Sequence, residues 1–236
     1  MEKLADALPG IVAFALVAGM FTLVFTVSHR GRKKEREIGR GYTQLARNAA
    51  EHGWTYEAFT RGRIDHYSGI RPFPTRGVNM SACHYTTGEF RGRPFKYFEY
   101  RFMSITSGTD DNPQPLIRSV FVVEAPGSGA FMQIFRRGML TTLFGRKPTM
   151  PLGKPAFDKE FRVITSDEEF TRKAFSRDLM PYLLTEPLAD KTPLQFHEGE
   201  LFTWYSDPLT PQAVDEKLNH LCDVLDRIPV QAWETS

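Results

Sequence analysis

The sequence predicts an α+β protein: one N-terminal single transmembrane helix, then a mainly antiparallel β-sheet domain with flanking helices and a C-terminal helix. Three features of the chain carry this expectation. Residues 11–28 are uncharged and apolar or small throughout. Aromatic residues alternate along several stretches between Val78 and Ser206. Thr210-Pro211 then opens a segment whose apolar residues recur three and four positions apart.

The first element, Ile11 to Ser28, reads IVAFALVAGMFTLVFTVS. At about 1.5 Å per residue it forms a helix of roughly 27 Å, close to the hydrocarbon thickness of a bilayer. The flank orients it. Arg30, Arg32, Lys33, Lys34, Arg36 and Arg40 follow the segment against Glu35 and Glu37, whereas Lys3, Glu2 and Asp6 precede it. The positive-inside bias puts the short N-terminus outside and the remainder in the cytoplasm. A cleaved signal peptide would carry the opposite charge order. The organisation expected is therefore an extracytoplasmic N-terminus (1–10), a transmembrane helix (11–28), a basic collar and linker helix (29–52) and a cytoplasmic domain (53–236).

Ile38, Tyr42, Leu45, Ala46 and Ala49 lie on one face of a helix from Lys33 to His52, which Gly53 ends. Trp54-Thr55-Tyr56 starts an extended run, and a turn-rich passage covers Tyr67 to Arg76. Val78–Thr87 and Phe95–Ser104 read as a hairpin joined across Glu89 to Pro94. In its second strand Phe95, Tyr97 and Glu99 share one face, and Lys96, Phe98, Tyr100 and Phe102 the other. Ser107–Gln114 is a polar loop. Leu116–Ala125 is a strong strand and Ala130–Phe135 a weaker one. Arg136–Pro155 is a loop or internal boundary.

Phe161–Thr165 reads as a strand running into Ser166-Asp167-Glu168-Glu169, a capping box for a helix to about Phe175. Ser176 caps a second short helix holding Leu179, Met180, Leu183 and Leu184. Leu194–His197 and Leu201–Ser206 form another hairpin around Glu198-Gly199-Glu200. The last helix has Thr210 as its cap, Pro211 at its first position, a stripe of Val214, Leu218, Leu221 and Leu225, and Pro229 as its end.

The formal net charge of +2 conceals an asymmetry. Residues 29–154 carry an excess of 11 positive charges and residues 155–236 an excess of 8 negative ones. Two arrangements fit: a basic half held at an anionic membrane surface, or two halves that interleave in one fold and neutralise each other. Nucleic acid is a poor partner, because no compact basic-aromatic motif appears. The two cysteines, Cys83 and Cys222, suit a reducing compartment.

Catalytic patterns are weak. Gly127-Ser128-Gly129 lacks the third glycine of a dinucleotide fingerprint and is not a nucleophile elbow. Cys83 and His84 face opposite sides of a strand, and His220 and Cys222 point apart on a helix. No metal spacing occurs. Asp110-Asp111 sits in a polar loop, and Asp167-Glu168-Glu169 is explained by helix capping. No cofactor, catalytic residue or metal ligand is therefore expected.

Gly53-Trp54, Gly92-Arg93-Pro94-Phe95, Phe98-Glu99-Tyr100, Phe157-Asp158-Lys159-Glu160-Phe161-Arg162-Val163 and Leu183-Leu184-Thr185 follow the anchor in that order. The arrangement resembles an uncharacterised family of actinobacterial single-pass, membrane-anchored proteins. That resemblance implies a bacterial inner-membrane setting and a non-enzymatic role; it implies no catalytic residues.

The function expected is a non-enzymatic accessory or assembly subunit of a larger inner-membrane complex. Its partners would be the lipid bilayer and other subunits, with Gly19, Phe98 and Tyr100 as partner contacts. The second expectation is a lipid-binding or lipid-sensing module. There Arg30, Arg32, Lys33, Lys34, Arg36, Arg91, Arg93, Lys96 and Arg101 would meet lipid headgroups, anionic lipid among them. A membrane-tethered enzyme is the third. The aromatic run Phe95–Phe102 fits either an apolar pocket or a core.

Overall fold

The computed structural model describes residues 41–74, 76–104, 114–127, 131–138 and 149–234. The chain divides into two units, Met1–Thr43 and Gln44–Ser236. Of the first, only residues 41–43 are described, at the start of helix α1 (residues 41–51). The second contains the sheet.

Eight strands form it: β1 (Thr55–Arg61), β2 (Ser81–Phe90), β3 (Arg93–Ser104), β4 (Gln114–Glu124), β5 (Met132–Arg136), β6 (Phe161–Thr165), β7 (Leu194–His197) and β8 (Glu200–Tyr205). Their order is β1-β2-β3-β4-β8-β7-β5-β6, and every neighbouring pair is antiparallel. Two hairpins turn on two residues each. Arg91-Gly92 and Glu198-Gly199 adopt positive φ at both positions, which matches the right-handed twist of the flanking strands. Trp54 packs directly on Gly88, where any Cβ would collide with its indole ring.

One face of the sheet is dry and aromatic. Phe98 and Tyr100 of β3, Val120 and Val122 of β4, and Phe202 and Trp204 of β8 meet Ile64, Tyr67, Phe73 and Met80 from the β1–β2 connection. The Asp65 carboxylate accepts from the backbone N–H groups of Asn79 and Met80, each at 2.8 Å, and so closes that connection. On the other face, Tyr97, Phe121 and Leu201 lie under helix α5 (Pro211–Asp226), which contacts β3, β4 and β8. The buried stripe of α5 contains Val214, Leu218, Leu221 and Leu225, as its spacing predicted. Thr210 caps it, its Oγ1 accepting from Ala213 N at 3.2 Å.

The remaining helices are α2 (Pro155–Glu160), α3 (Glu168–Ala174), α4 (Leu179–Thr185) and α6 (Val230–Trp233). Neither α2 nor α6 is predicted by the sequence pattern. Both are too short to show a periodic stripe. The N-cap of α3 is Asp167 rather than Ser166: its carboxylate accepts from Phe170 N at 2.9 Å.

The fold class needs one correction. Among the described residues no helix is long and apolar enough to cross a membrane. Helix α5 has 16 residues and carries Asp215, Glu216, Lys217, Asp223 and Asp226, so it lies amphipathically on the sheet. The segment expected to span, residues 11–28, lies outside the described residues, as do Gly19, Arg30, Arg32, Lys33, Lys34 and Arg36. The fold of the described residues is an antiparallel eight-stranded sheet with helices, without a spanning one.

The charge asymmetry resolves into pairing. Arg91 binds Asp223 at 2.9 Å and Asp226 at 2.7 Å, Arg93 binds Asp226 at 2.9 Å, and Lys96 binds Glu200 at 2.7 Å. Arg136 joins Glu160 and Asp190. In each pair a basic residue from the first half of the domain meets an acidic residue from the second.

Candidate functional site

A cleft of about 720 Å³ arises from a mismatch in strand length. Strand β7 begins at Leu194, opposite Thr203 of β8. Trp204 and Tyr205 therefore run on beside β4 alone, where they pair with Val120 and Ser119. Residues 188–193 and the first turns of α5 form facing walls of the space left over. Its volume lies within the usual small-ligand range of about 300–1,000 Å³.

The lining is amphiphilic. Phe102, Trp204, Leu188 and Pro193 supply apolar surface. Arg71, Arg118, Lys191 and Lys217 supply positive charge, against Asp207 and Glu216. The loop before α5 is fixed from below: Ser119 Oγ donates to the Asp207 carbonyl, and Tyr205 Oη donates to the Pro208 carbonyl at 3.3 Å. The wholly buried carboxylate of Glu99 accepts from Leu209 N at 2.8 Å and from Arg101 Nη2 at 2.7 Å.

Two cations of the cleft differ from the rest of the surface. Lys217 is only 6% exposed. Its Nζ stands 5.6 Å from the Tyr205 ring centroid, and among the described residues it has neither a hydrogen bond nor an ion pair. Burial lowers its pKa, with Glu216 opposing. Burial also lowers that of Arg118, whose Nη1 donates to the Ile117 carbonyl at 3.0 Å and whose guanidinium lies 5.8 Å from the Phe102 ring. The Tyr205 phenol is pushed up to about 12, chiefly by burial, so it stays protonated.

A second cluster surrounds the bulge in β2. His84 takes φ +54° there, a strained conformation for a residue with a Cβ, and its Nδ1 meets Tyr56 Oη at 2.7 Å. Burial raises the Cys83 thiol and lowers His84. The thiol is therefore kept protonated, the wrong form for nucleophilic attack. His220 of α5 meets Tyr182 Oη at 2.9 Å, and its Nε2 is buried without a hydrogen-bond partner among the described residues. Among the described residues no three His, Cys, Asp or Glu stand close enough to hold a metal ion.

The residues expected to contact headgroups or partners fall elsewhere. Arg91, Arg93 and Lys96 lie at the β2–β3 hairpin in ion pairs with Asp223, Asp226 and Glu200, and Arg101 is tied to Glu99. Phe98 is fully buried and Tyr100 is 5% exposed. Both are core residues beneath the β1–β2 connection, so the aromatic hairpin is core, and neither side chain is presented to a partner. Arg118, Trp204, Tyr205 and Lys217 were missed. One signal was visible: Lys217 stands three residues after Val214 and four before Leu221, inside the apolar stripe of α5.

No protein-family model matches the chain, and no curated protein matches its sequence. Among solved structures, it is similar to the crystal structure of the mycobacterial trehalose monomycolate transport factor A. The two are 17% identical, with a TM-score of 0.57 over 82% of this chain and 97% of that one. The likeness is one of fold.

Proposed function

We propose that this chain is a non-enzymatic accessory factor in lipid handling at a bacterial plasma membrane, acting beside other subunits of a membrane complex. The observation that carries the reading is the amphiphilic cleft at the end of β8. Aromatic and aliphatic walls there suit an acyl chain, and polar groups at the same site suit a headgroup. The fold shared with a protein named as a trehalose monomycolate transport factor supports the lipid part of the reading. Two free cysteines support a cytoplasmic position, where thiols stay reduced.

Trp204 lies in the cleft wall and serves as a reporter. Titration of the full chain with a monoacylated trehalose, followed by tryptophan fluorescence and native mass spectrometry, is expected to show one saturable site. Ala213→Trp, which fills the cleft from α5, abolishes it. Purification in mild detergent is expected to recover reproducible membrane-protein partners. A solitary monomer that binds no amphiphile sinks the proposal.

A further inference from the structure

We infer that the cleft selects amphiphiles with an anionic headgroup, a carboxylate or a phosphate monoester, through Lys217 and Arg118. The inference rests on the amphiphile-binding reading of the cleft and deepens it.

Lys217 is the decisive residue. Among the described residues, Gln195 Nε2 and His220 Nε2 are sealed in the fold without a hydrogen-bond partner. The Nζ of Lys217 is not among them, although its residue is as buried as much of the core: it opens on the cleft. A largely buried lysine whose ammonium meets no carboxylate is unfavourable, because it has given up much of its water and gained no counter-charge. Replacing it with an apolar side chain would relieve that penalty. An anion brought into the cleft relieves it as well.

Three further features line the same cleft. Arg118 reaches the cleft with no carboxylate partner among the described residues, its guanidinium lying near the Phe102 ring. Thr210 and Ala213 put the N-terminal turn of the 16-residue helix α5 at the cleft, the end of a helix that favours negative charge. The lining carries more cations than anions: Asp207 and Glu216 are both exposed, and Glu216 already accepts from Gln212 Nε2 at 2.7 Å. Phe102, Trp204 and Leu188 meanwhile provide apolar surface for a chain attached to the headgroup.

Laurate, dodecyl phosphate and uncharged dodecyl maltoside, each below its critical micelle concentration, test this on the full chain by Trp204 fluorescence and native mass spectrometry. The expected result is at least tenfold tighter binding of one or both anions than of the uncharged ligand. The two anions separate a fatty-acid from a phosphate source: preference for laurate assigns a carboxylate, preference for dodecyl phosphate a phosphate monoester. Lys217→Met removes that preference, lowering anion affinity at least tenfold with dodecyl maltoside unchanged, while its thermal midpoint stays equal or rises. Lys217→Arg retains the preference and serves if the Met variant does not fold.

Equal affinity for all three ligands overturns the inference and leaves the amphiphile site standing. A preference that survives both Lys217→Met and Arg118→Gln overturns it too. Binding of no amphiphile at all removes both readings.

Discussion

Two groups of cations sit in this molecule in opposite circumstances. At the β2–β3 hairpin, Arg91, Arg93 and Lys96 are partly exposed and each is matched to a carboxylate from far along the chain. At the cleft, Lys217 is withdrawn from water and Arg118 is half-buried, and neither meets a carboxylate among the described residues. Exposed charge at the hairpin fastens one half of the chain to the other. Withdrawn charge at the cleft is left over for something outside the fold. Density of basic residues in the sequence is therefore a poor guide to where an anion binds, and the satisfaction of each residue is the better one.

Glu99 offers the most severe test of this contrast, because it holds both Arg101 and the Leu209 backbone. Glu99→Leu strips a charged hydrogen bond from each and is expected to lower stability by about 2–3 kcal/mol in urea denaturation. It also loosens the loop that walls the cleft, so ligand affinity falls with it. A stability loss without any change at the cleft would show that the loop is held by other contacts.

The next effect comes from His220, one helical turn from Lys217. Burial is the main cause holding its pKa down to about 4, and the charge of Lys217 adds to it. In the unfolded chain the same group titrates near 6.5, so between about pH 6.5 and 4 the unfolded state binds more protons. Stability is present above that window and is lost as pH falls through it, with a slope of at most about 1.4 kcal/mol per pH unit from this group. In Lys217→Met the His220 resonance is expected to titrate at higher pH by NMR. An unchanged midpoint would mean that Lys217 is neutral in the folded protein.

Smaller effects belong to the hairpin. A double-mutant cycle between Arg91 and Asp226 is expected to give a coupling under about 1 kcal/mol, because both groups are partly solvated. Smallest of all, Arg91→Gln with Arg93→Gln is expected to leave amphiphile binding unaltered in the fluorescence titration. A clear loss there would return the headgroup site to the hairpin.

Strand β7, the cores of β3 and β8, and α5 with its Thr210 cap were legible, since period-two aromatics, a Glu-Gly turn and a Thr-Pro start act locally. Helices α2 and α6 were not, being too short for a pattern. The reading of Phe98 and Tyr100 as contacts failed because alternation shows that residues share a face, not what covers it; here Tyr67 and Phe73 do. The hairpin's partners were legible only as one of two open alternatives, because Arg91 and Asp226 are joined by the fold alone. The cleft was invisible because it depends on β7 starting opposite Thr203. Lys217 alone left a trace.

The strand order also governs how the chain comes to be made. The meander β1-β2-β3-β4 can form from contiguous sequence, but the outer edge of β4 is closed by β8, whose Leu201 pairs with Val123. Until residues beyond Leu201 leave the ribosome, β4 presents an open, Val- and Phe-rich edge. Such an edge is a template for pairing with other chains. The C-terminal hairpin is thus the clasp of the fold as well as a wall of its cleft, and slow synthesis of the stretch between them is the period of greatest exposure to aggregation.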